Sequence, residues 1–214
     1  MKFSGHRIAD KRILRLIRRY LKAGIQEDGQ HKASEMGTPQ GGVISPLLAN
    51  IYLHYTLDLW FEKRFKNQCE GYVRLIRYAD EYVVCFQYEA EARSFMTLME
   101  VRLKQFNLEV APEKTKRFEF GPFAQSKAKA RGERTATFDF LGFTHYCSRS
   151  RDGRRYRMKR KTVSKRFTAK LVGYKEWLKA SRTQPTAQIM KTTAAKLRGH
   201  FAYYGVTDNS KSVQ

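Results

Sequence analysis

The 214-residue sequence contains only three cysteines, and Cys69, Cys85 and Cys147 stand far apart. That spacing excludes a paired zinc motif, and the odd count excludes a closed disulfide framework, so a reducing cytoplasm suits the chain. Long hydrophobic runs are missing too. No stretch approaches the length of a transmembrane span, and Met1 to Asp10 lacks the apolar run of a signal peptide. Internal repeats and low-complexity tracts are absent. Acidic residues are scarce: 20 Asp and Glu face 42 Lys and Arg, a net charge of +22.

What is present points to a polyanion as partner. From Lys127 onward there are 22 basic and 5 acidic residues, against 20 and 15 before it, so the C-terminal part carries most of the positive charge. Aromatic residues are interleaved with that charge: Tyr146, Tyr156, Phe167, Tyr174, Trp177, Phe201, Tyr203 and Tyr204. Phosphate contacts and stacking faces are thereby supplied together, as RNA recognition requires, although some of these rings belong to a core. With 42% apolar residues the chain can fill such a core.

Periodicity sets the expected elements. Ile13, Leu14, Ile17, Tyr20 and Leu21 form one stripe of a helix over Asp10 to Ala23, closed by Gly24. A polar loop over Gln26 to Glu35 leads into Gly37-Thr38-Pro39-Gln40-Gly41-Gly42, where glycine and proline force irregular backbone. Ser45 as N-cap, Pro46 at the first helical position and Leu48, Ile51, Tyr52, Tyr55 and Leu59 at helical spacing predict a helix to about Phe65. From Tyr72 to Phe86 the period is two, a β-hairpin with an acidic tip. Glu89 to Phe106 returns to helix, with Phe95, Leu98, Met99, Arg102 or Leu103, and Phe106 on the apolar face. Leu108 to Val110 and Arg117 to Phe120 are expected as short strands, Gly121 to Thr137 as a long exposed loop, and Phe138 to Tyr146 as strands bent at Gly142. After a turn at Arg151 to Arg154 the chain is expected to be mostly helical, over Thr162 to Ser181 and Thr186 to Gly199, with Pro185 as a start signal. A domain boundary is expected near residue 150.

Two motifs carry chemistry. Tyr78-Ala79-Asp80-Glu81 places two adjacent carboxylates at a rigid turn, where they can present hard oxygen ligands to Mg²⁺ in two-metal phosphoryl chemistry. Alone, such a tip is more often a solvated turn. Pro39-Gln40-Gly41-Gly42-Val43-Ile44-Ser45-Pro46-Leu47-Leu48-Ala49-Asn50 offers backbone free of side chains just before a helix, which lets a nucleotide or template strand approach closely. Alone, a glycine pair before a capped helix is more often just a turn.

In this order, about 25 residues apart, the two resemble the palm of group II intron reverse transcriptases, with their glycine block and Tyr-Ala-Asp-Asp hairpin. The resemblance extends to Ala9-Asp-Lys-Arg-Ile-Leu-Arg-Leu-Ile, Leu108-Glu-Val-Ala-Pro-Glu-Lys-Thr-Lys116 and Thr137-Phe-Asp-Phe-Leu-Gly-Phe-Thr-His145. Lys159-Arg-Lys-Thr-Val-Ser-Lys165 and Leu197-Arg-Gly-His-Phe-Ala-Tyr-Tyr-Gly205 resemble the start of the maturase, or thumb, domain. It implies an α+β fold: a partial palm over 1–150, with an antiparallel sheet packed on helices, and a partial helical maturase domain over 151–214. It implies an RNA-directed DNA polymerase that binds intron RNA and assists its splicing. Asp80 and Glu81 would bind Mg²⁺ and act in catalysis; Pro39, Gln40, Gly41 and Gly42 would line the incoming nucleotide and template. Lys114 would stand near the nucleotide, though a lysine after a turn is equally a solvated charge. Phe140, Leu141, Gly142 and Phe143 would grip the primer end. Arg154, Arg155, Arg157, Lys159, Arg160, Lys161, Lys165 and Arg166 would hold the RNA. His145 and His200 read as core or RNA-packing histidines rather than general bases.

Two departures limit the activity this implies. Glu81 replaces the second Asp, and one methylene shifts the carboxylate by roughly 1.5 Å. The family also draws a metal-binding Asp from an earlier palm strand, and Met1 to Ile8 contains no acidic residue. Asp58, on the helix after the glycine block, faces the wrong way to replace it. The expectation is a chain with weak or no polymerase activity alone, completed by another chain or acting as a non-catalytic RNA-binding fragment. Its partners would be intron RNA and a DNA primer or target, and not a membrane.

Overall fold

A computed structural model describes residues 2–22, 25–27, 30–32 and 43–209. The chain mixes helices with antiparallel sheets, an α+β composition, and forms two compact units, residues 1–116 and 117–214. Among the described residues no helix is long and apolar enough to cross a membrane.

The first unit opens with α1 (Lys2–Gly5) and α2 (Lys11–Lys22), and Asp10, just before α2, accepts a hydrogen bond from the Arg12 amide at 2.7 Å. The expected polar loop contains two short strands, β1 (Ile25–Glu27) and β2 (Gln30–Lys32), paired antiparallel. The glycine block, Gly37 to Gly42, lies outside the described residues, as does Gly24. α3 (Ser45–Leu53) carries Pro46 in its first turn, with Ile44 rather than Ser45 at the cap. The helical path then widens into π-type turns over His54–Asp58 and Phe61–Phe65 and ends in a 3-10 turn, Lys66–Gln68.

The widening has a physical counterpart. π-type turns interrupt the regular ladder of carbonyl acceptors, and Arg102 donates to the Thr56 carbonyl at 3.0 Å and to that of Tyr55 at 3.5 Å. The Arg102 guanidinium also sits 4.4 Å from the centre of the Phe106 ring, and burial lowers its pKa from the ordinary arginine value.

β3 (Val73–Tyr78) and β4 (Glu81–Phe86) form the expected hairpin. Val73 and Leu75 on one strand and Tyr82, Val84 and Phe86 on the other pack with α4 (Glu89–Lys104) and the helical run. Phe95, Met99 and Leu103 are the buried face of α4, whereas Leu98 is exposed; with Leu57, Phe61 and Phe65 they complete the core. Leu108 to Val110 form no strand: the side chains of Leu108 and Val110 pack onto that core, and the Leu108 amide donates back to the Leu103 carbonyl at 3.0 Å.

In the second unit Arg117 to Phe120 likewise form no strand. Phe118 and Phe120 instead pack their rings on Phe138, at 5.6 and 5.2 Å. The expected exposed loop holds α5 (Ala124–Ala130), whose Ala124 and Ala128, one turn apart, are buried. β5 (Thr137–Phe140) and β6 (Phe143–Arg149) pair as expected. Where mostly helix was expected after the turn at 151–154, β7 (Tyr156–Thr162) first adds a third strand, in the order β5-β6-β7. Residue 150 lies at the bend between β6 and β7, inside the second compact unit. α6 (Ser164–Ala180) and α7 (Thr186–Tyr204) follow, the second running five residues past Gly199.

Candidate functional site

The acidic tip is a two-residue turn. Tyr78 pairs with Glu81, leaving Ala79 and Asp80 as the connection. Ala79 has φ +52°, the positive angle that mirror-type hairpin turns need at this position. Asp80 in the turn and Glu81 at the head of β4 are both exposed.

Arg77 stands behind this turn. Strand alternation places it on the same face as Val73 and Leu75, toward the helical run, and a cation there needs partners. It has them. Its Nε and one terminal nitrogen donate to the two oxygens of Asp58 at 2.7 and 2.6 Å, and its other terminal nitrogen donates to Asn50 Oδ1 at 2.9 Å and the Ala79 carbonyl at 2.6 Å. The hydrogen bond to Asp58 raises the guanidinium's pKa, outweighing the opposing effect of burial. Asp58 is thus committed to Arg77, with His54 Nδ1 3.5 Å away. Sequence reasoning missed this cluster, although the inward charge at Arg77 was the signal.

Asp80 and Glu81 supply two carboxylates. Among the described residues no group of three or more His, Cys, Asp or Glu side chains stands close enough to hold a metal ion. Two exposed carboxylates on one turn do not make the shared ligand set of the expected two-metal Mg²⁺ centre. The described residues therefore do not fit the ion by themselves. Pro39, Gln40, Gly41 and Gly42 lie outside the described residues. Lys114 occupies an exposed turn, its amide bonded to the Ala111 carbonyl at 3.1 Å.

Phe140 to Phe143 belong to the second unit. Leu141 and Gly142 form a two-residue turn with φ of +50° and +81°. The Tyr203 hydroxyl donates to the Leu141 carbonyl at 2.8 Å, and the Val163 amide donates to that of Gly142 at 3.1 Å. A Cβ at Gly142 would lie 3.0 Å from the Tyr204 hydroxyl and 3.3 Å from Arg166, so a side chain would be strained by both angle and space. Phe143 packs on Tyr203 and Tyr204, and the buried Asn209 bonds the Thr162 amide, the Thr162 hydroxyl and the Tyr204 carbonyl. The end of α7 thus holds this turn in place.

The three-stranded sheet is two-sided. One face carries Phe138, Phe143, His145 and Cys147, the last three buried. The other carries Thr137, Tyr146 and Lys159 in one row, Thr144 and Lys161 with Asp139 in the next, and Ser148 with Arg157. Lys161 Nζ sits 5.8 Å from the centre of the Tyr146 ring, and Asp139 accepts from Thr144 at 2.6 Å. Arg154 and Arg155 sit in the turn before β7 and Lys165 and Arg166 open α6, so these side chains flank the strand at both ends. Arg160 alternates to the buried face, opposite His145.

His145 stacks on Phe138 at 4.8 Å, and its Nδ1 has no hydrogen-bond partner among the described residues. Burial pushes its pKa below the ordinary histidine value; the backbone of Phe143 opposes this and Arg160 reinforces it. The unfolded chain therefore takes up a proton near pH 6.5 that the folded imidazole refuses. Stability from this group is full above about pH 6.5 and is lost as pH falls from there through the lower folded value. Urea unfolding should accordingly show a lower midpoint at pH 5 than at pH 7, and His145→Leu should remove most of the difference. His200, whose pKa is lowered first by burial and then by Lys170, acts in the same direction. An equal pH dependence in the variant would show that His145 is not its source.

The α+β fold is compatible with a polymerase palm, and comparison with known proteins supplies the class. The chain belongs to the reverse transcriptase (RNA-dependent DNA polymerase) family, whose profile matches residues 3–145. It is similar to the group II intron-encoded protein LtrA of Lactococcus lactis subsp. cremoris, 54% identical over 48 residues, which are 22% of this chain and 8% of that protein. An uncharacterized 91 kDa protein in the cob intron of Schizosaccharomyces pombe is 50% identical over 56 residues, 26% of this chain and 7% of its own length. Protein YkfC of Escherichia coli is 43% identical over 65 residues, 30% of this chain and 17% of its own. The matched stretches thus span less than a fifth of each of these relatives.

Proposed function

We propose that this chain is a palm and thumb portion of a group II intron reverse transcriptase/maturase that grips intron RNA and makes little or no DNA by itself. The observation that carries the RNA-binding reading is the outer face of the three-stranded sheet. Arg157, Lys159 and Lys161 project from one side of β7 beside Tyr146, with Arg154, Arg155, Lys165 and Arg166 at its ends. Cations at strand spacing suit a phosphate backbone, and a tyrosine among them offers a stacking face to an unpaired base. Residues 1–150 would serve as palm and 151–214 as the start of the maturase domain, in the cytoplasm.

In this reading Asp80 and Glu81 are metal-facing carboxylates. They would hold Mg²⁺ only together with a further acidic ligand, and the ion would then supply charge stabilisation for phosphoryl transfer. Pro39, Gln40, Gly41, Gly42 and Lys114 would serve nucleotide and template, and Phe140, Leu141, Gly142 and Phe143 the end of a DNA primer. The small carboxylate set favours the second half of the proposal, binding without synthesis, unless a complementing chain supplies a further acidic ligand. RNA titration across salt, together with primer extension on an RNA template, tests both halves.

A further inference from the structure

We propose that Arg77 is a positioning residue for Asp80, fixing the acidic turn to the helical run through a clamp of Asn50, Asp58 and the Ala79 carbonyl. This rests on the reading of Asp80 as the metal-facing carboxylate. The Ala79 carbonyl belongs to the peptide immediately before Asp80, so a bond to it fixes the plane from which the Asp80 Cα departs. Ala79 is held at a positive φ that a non-glycine residue adopts only at a cost, and a turn of that kind persists when its surroundings over-determine it.

One planar guanidinium makes all four contacts. Its bidentate pair with Asp58 sets the plane of the fork, and the remaining terminal nitrogen then divides its hydrogens between Asn50 and Ala79. Lysine has the charge but not the fork and cannot reproduce this set. Asn50 lies on α3, which follows the glycine block directly, and Asp58 lies on the π-type turn beyond it. The clamp therefore ties the carboxylate turn to the element that leaves the block proposed to line the nucleotide. A carboxylate that is to act from one fixed position needs such a support.

The test is backbone ¹⁵N relaxation on the full chain, comparing the parent with Arg77→Gln, Arg77→Lys and Asn50→Ala below their unfolding temperatures. The parent should show order parameters of about 0.85 at Asp80 and Glu81. Arg77→Gln and Arg77→Lys should bring them below about 0.6, with Asn50→Ala in between, while Leu75 and Val84 in mid-strand stay unchanged. A general loss of stability would move the mid-strand amides as well. Unchanged turn order in all three variants, or turn and mid-strand values falling together, would overturn the proposal. Addition of Mn²⁺ separates it from the reading beneath it: a turn that loosens as expected but whose parent amides are not broadened by Mn²⁺ supports the clamp and removes the metal-binding role of Asp80.

Discussion

Phe61→Ala should cost the first unit about 3–5 kcal/mol, a large share of the roughly 5–15 kcal/mol that holds a domain folded. Phe61 has no exposed surface and lies at the centre of a cluster with Leu57, Phe65, Val73, Phe95, Met99 and Leu103. Its ring meets Phe95 edge-on at 5.9 Å and stacks on Phe65 at 6.0 Å, so truncation removes ring contacts as well as buried area. The surrounding aromatics are rigid and drawn from the helical run and α4, which leaves little scope for collapse into the cavity. Val73 belongs to the same cluster, so the strand that carries Arg77 and leads to the acidic turn loses its base with the ring. Urea unfolding monitored by near-ultraviolet circular dichroism measures the loss, and a cost under about 1 kcal/mol would show that the ring is not central to this core.

RNA affinity should fall about 10³-fold between 50 and 200 mM salt. The estimate assumes about six phosphate contacts, fewer than the eight basic residues at and around β7. Replacing Arg157, Lys159 and Lys161 together by alanine should weaken binding to every structured RNA and lower the steepness of the salt dependence by about one unit per residue removed. Tyr146→Ala should behave differently: a loss of about 1–3 kcal/mol for RNA with unpaired bases, with the salt slope intact, because stacking releases no counterions. Fluorescence anisotropy across a salt series separates the two effects. A salt slope that does not change in the triple variant would place the RNA on some other surface.

Much of this molecule was legible in its residues. The helix from Glu89, the hairpin around Asp80 and the Phe138 to Tyr146 strand pair follow from periods of 3.6 and two, because each buries one face on a core. β7 was not legible, since Tyr156-Arg-Met-Lys-Arg-Lys-Thr162 reads as a solvated charge run; its strand character comes from pairing with the half-buried β6. α5 was hidden for a related reason: its buried residues are alanines, too small to stand out among lysines. Leu108 to Val110 misled in the opposite direction, an apolar alternation that serves the core without a partner strand. At the candidate site the carboxylates announced themselves through the hairpin. The Arg77 clamp did not, because it joins residues 19 and 27 positions apart that meet only when the hairpin docks on the helical run.

The most direct test of the account is primer extension by the purified chain on an RNA template with Mg²⁺, beside an Asp80→Asn control and with RNA binding measured in the same samples. Salt-sensitive binding without extension is the predicted result: an RNA-gripping portion of a reverse transcriptase whose carboxylates do not complete a metal centre alone. Extension that Asp80→Asn abolishes would contradict it, and would mean that this chain closes its own metal site.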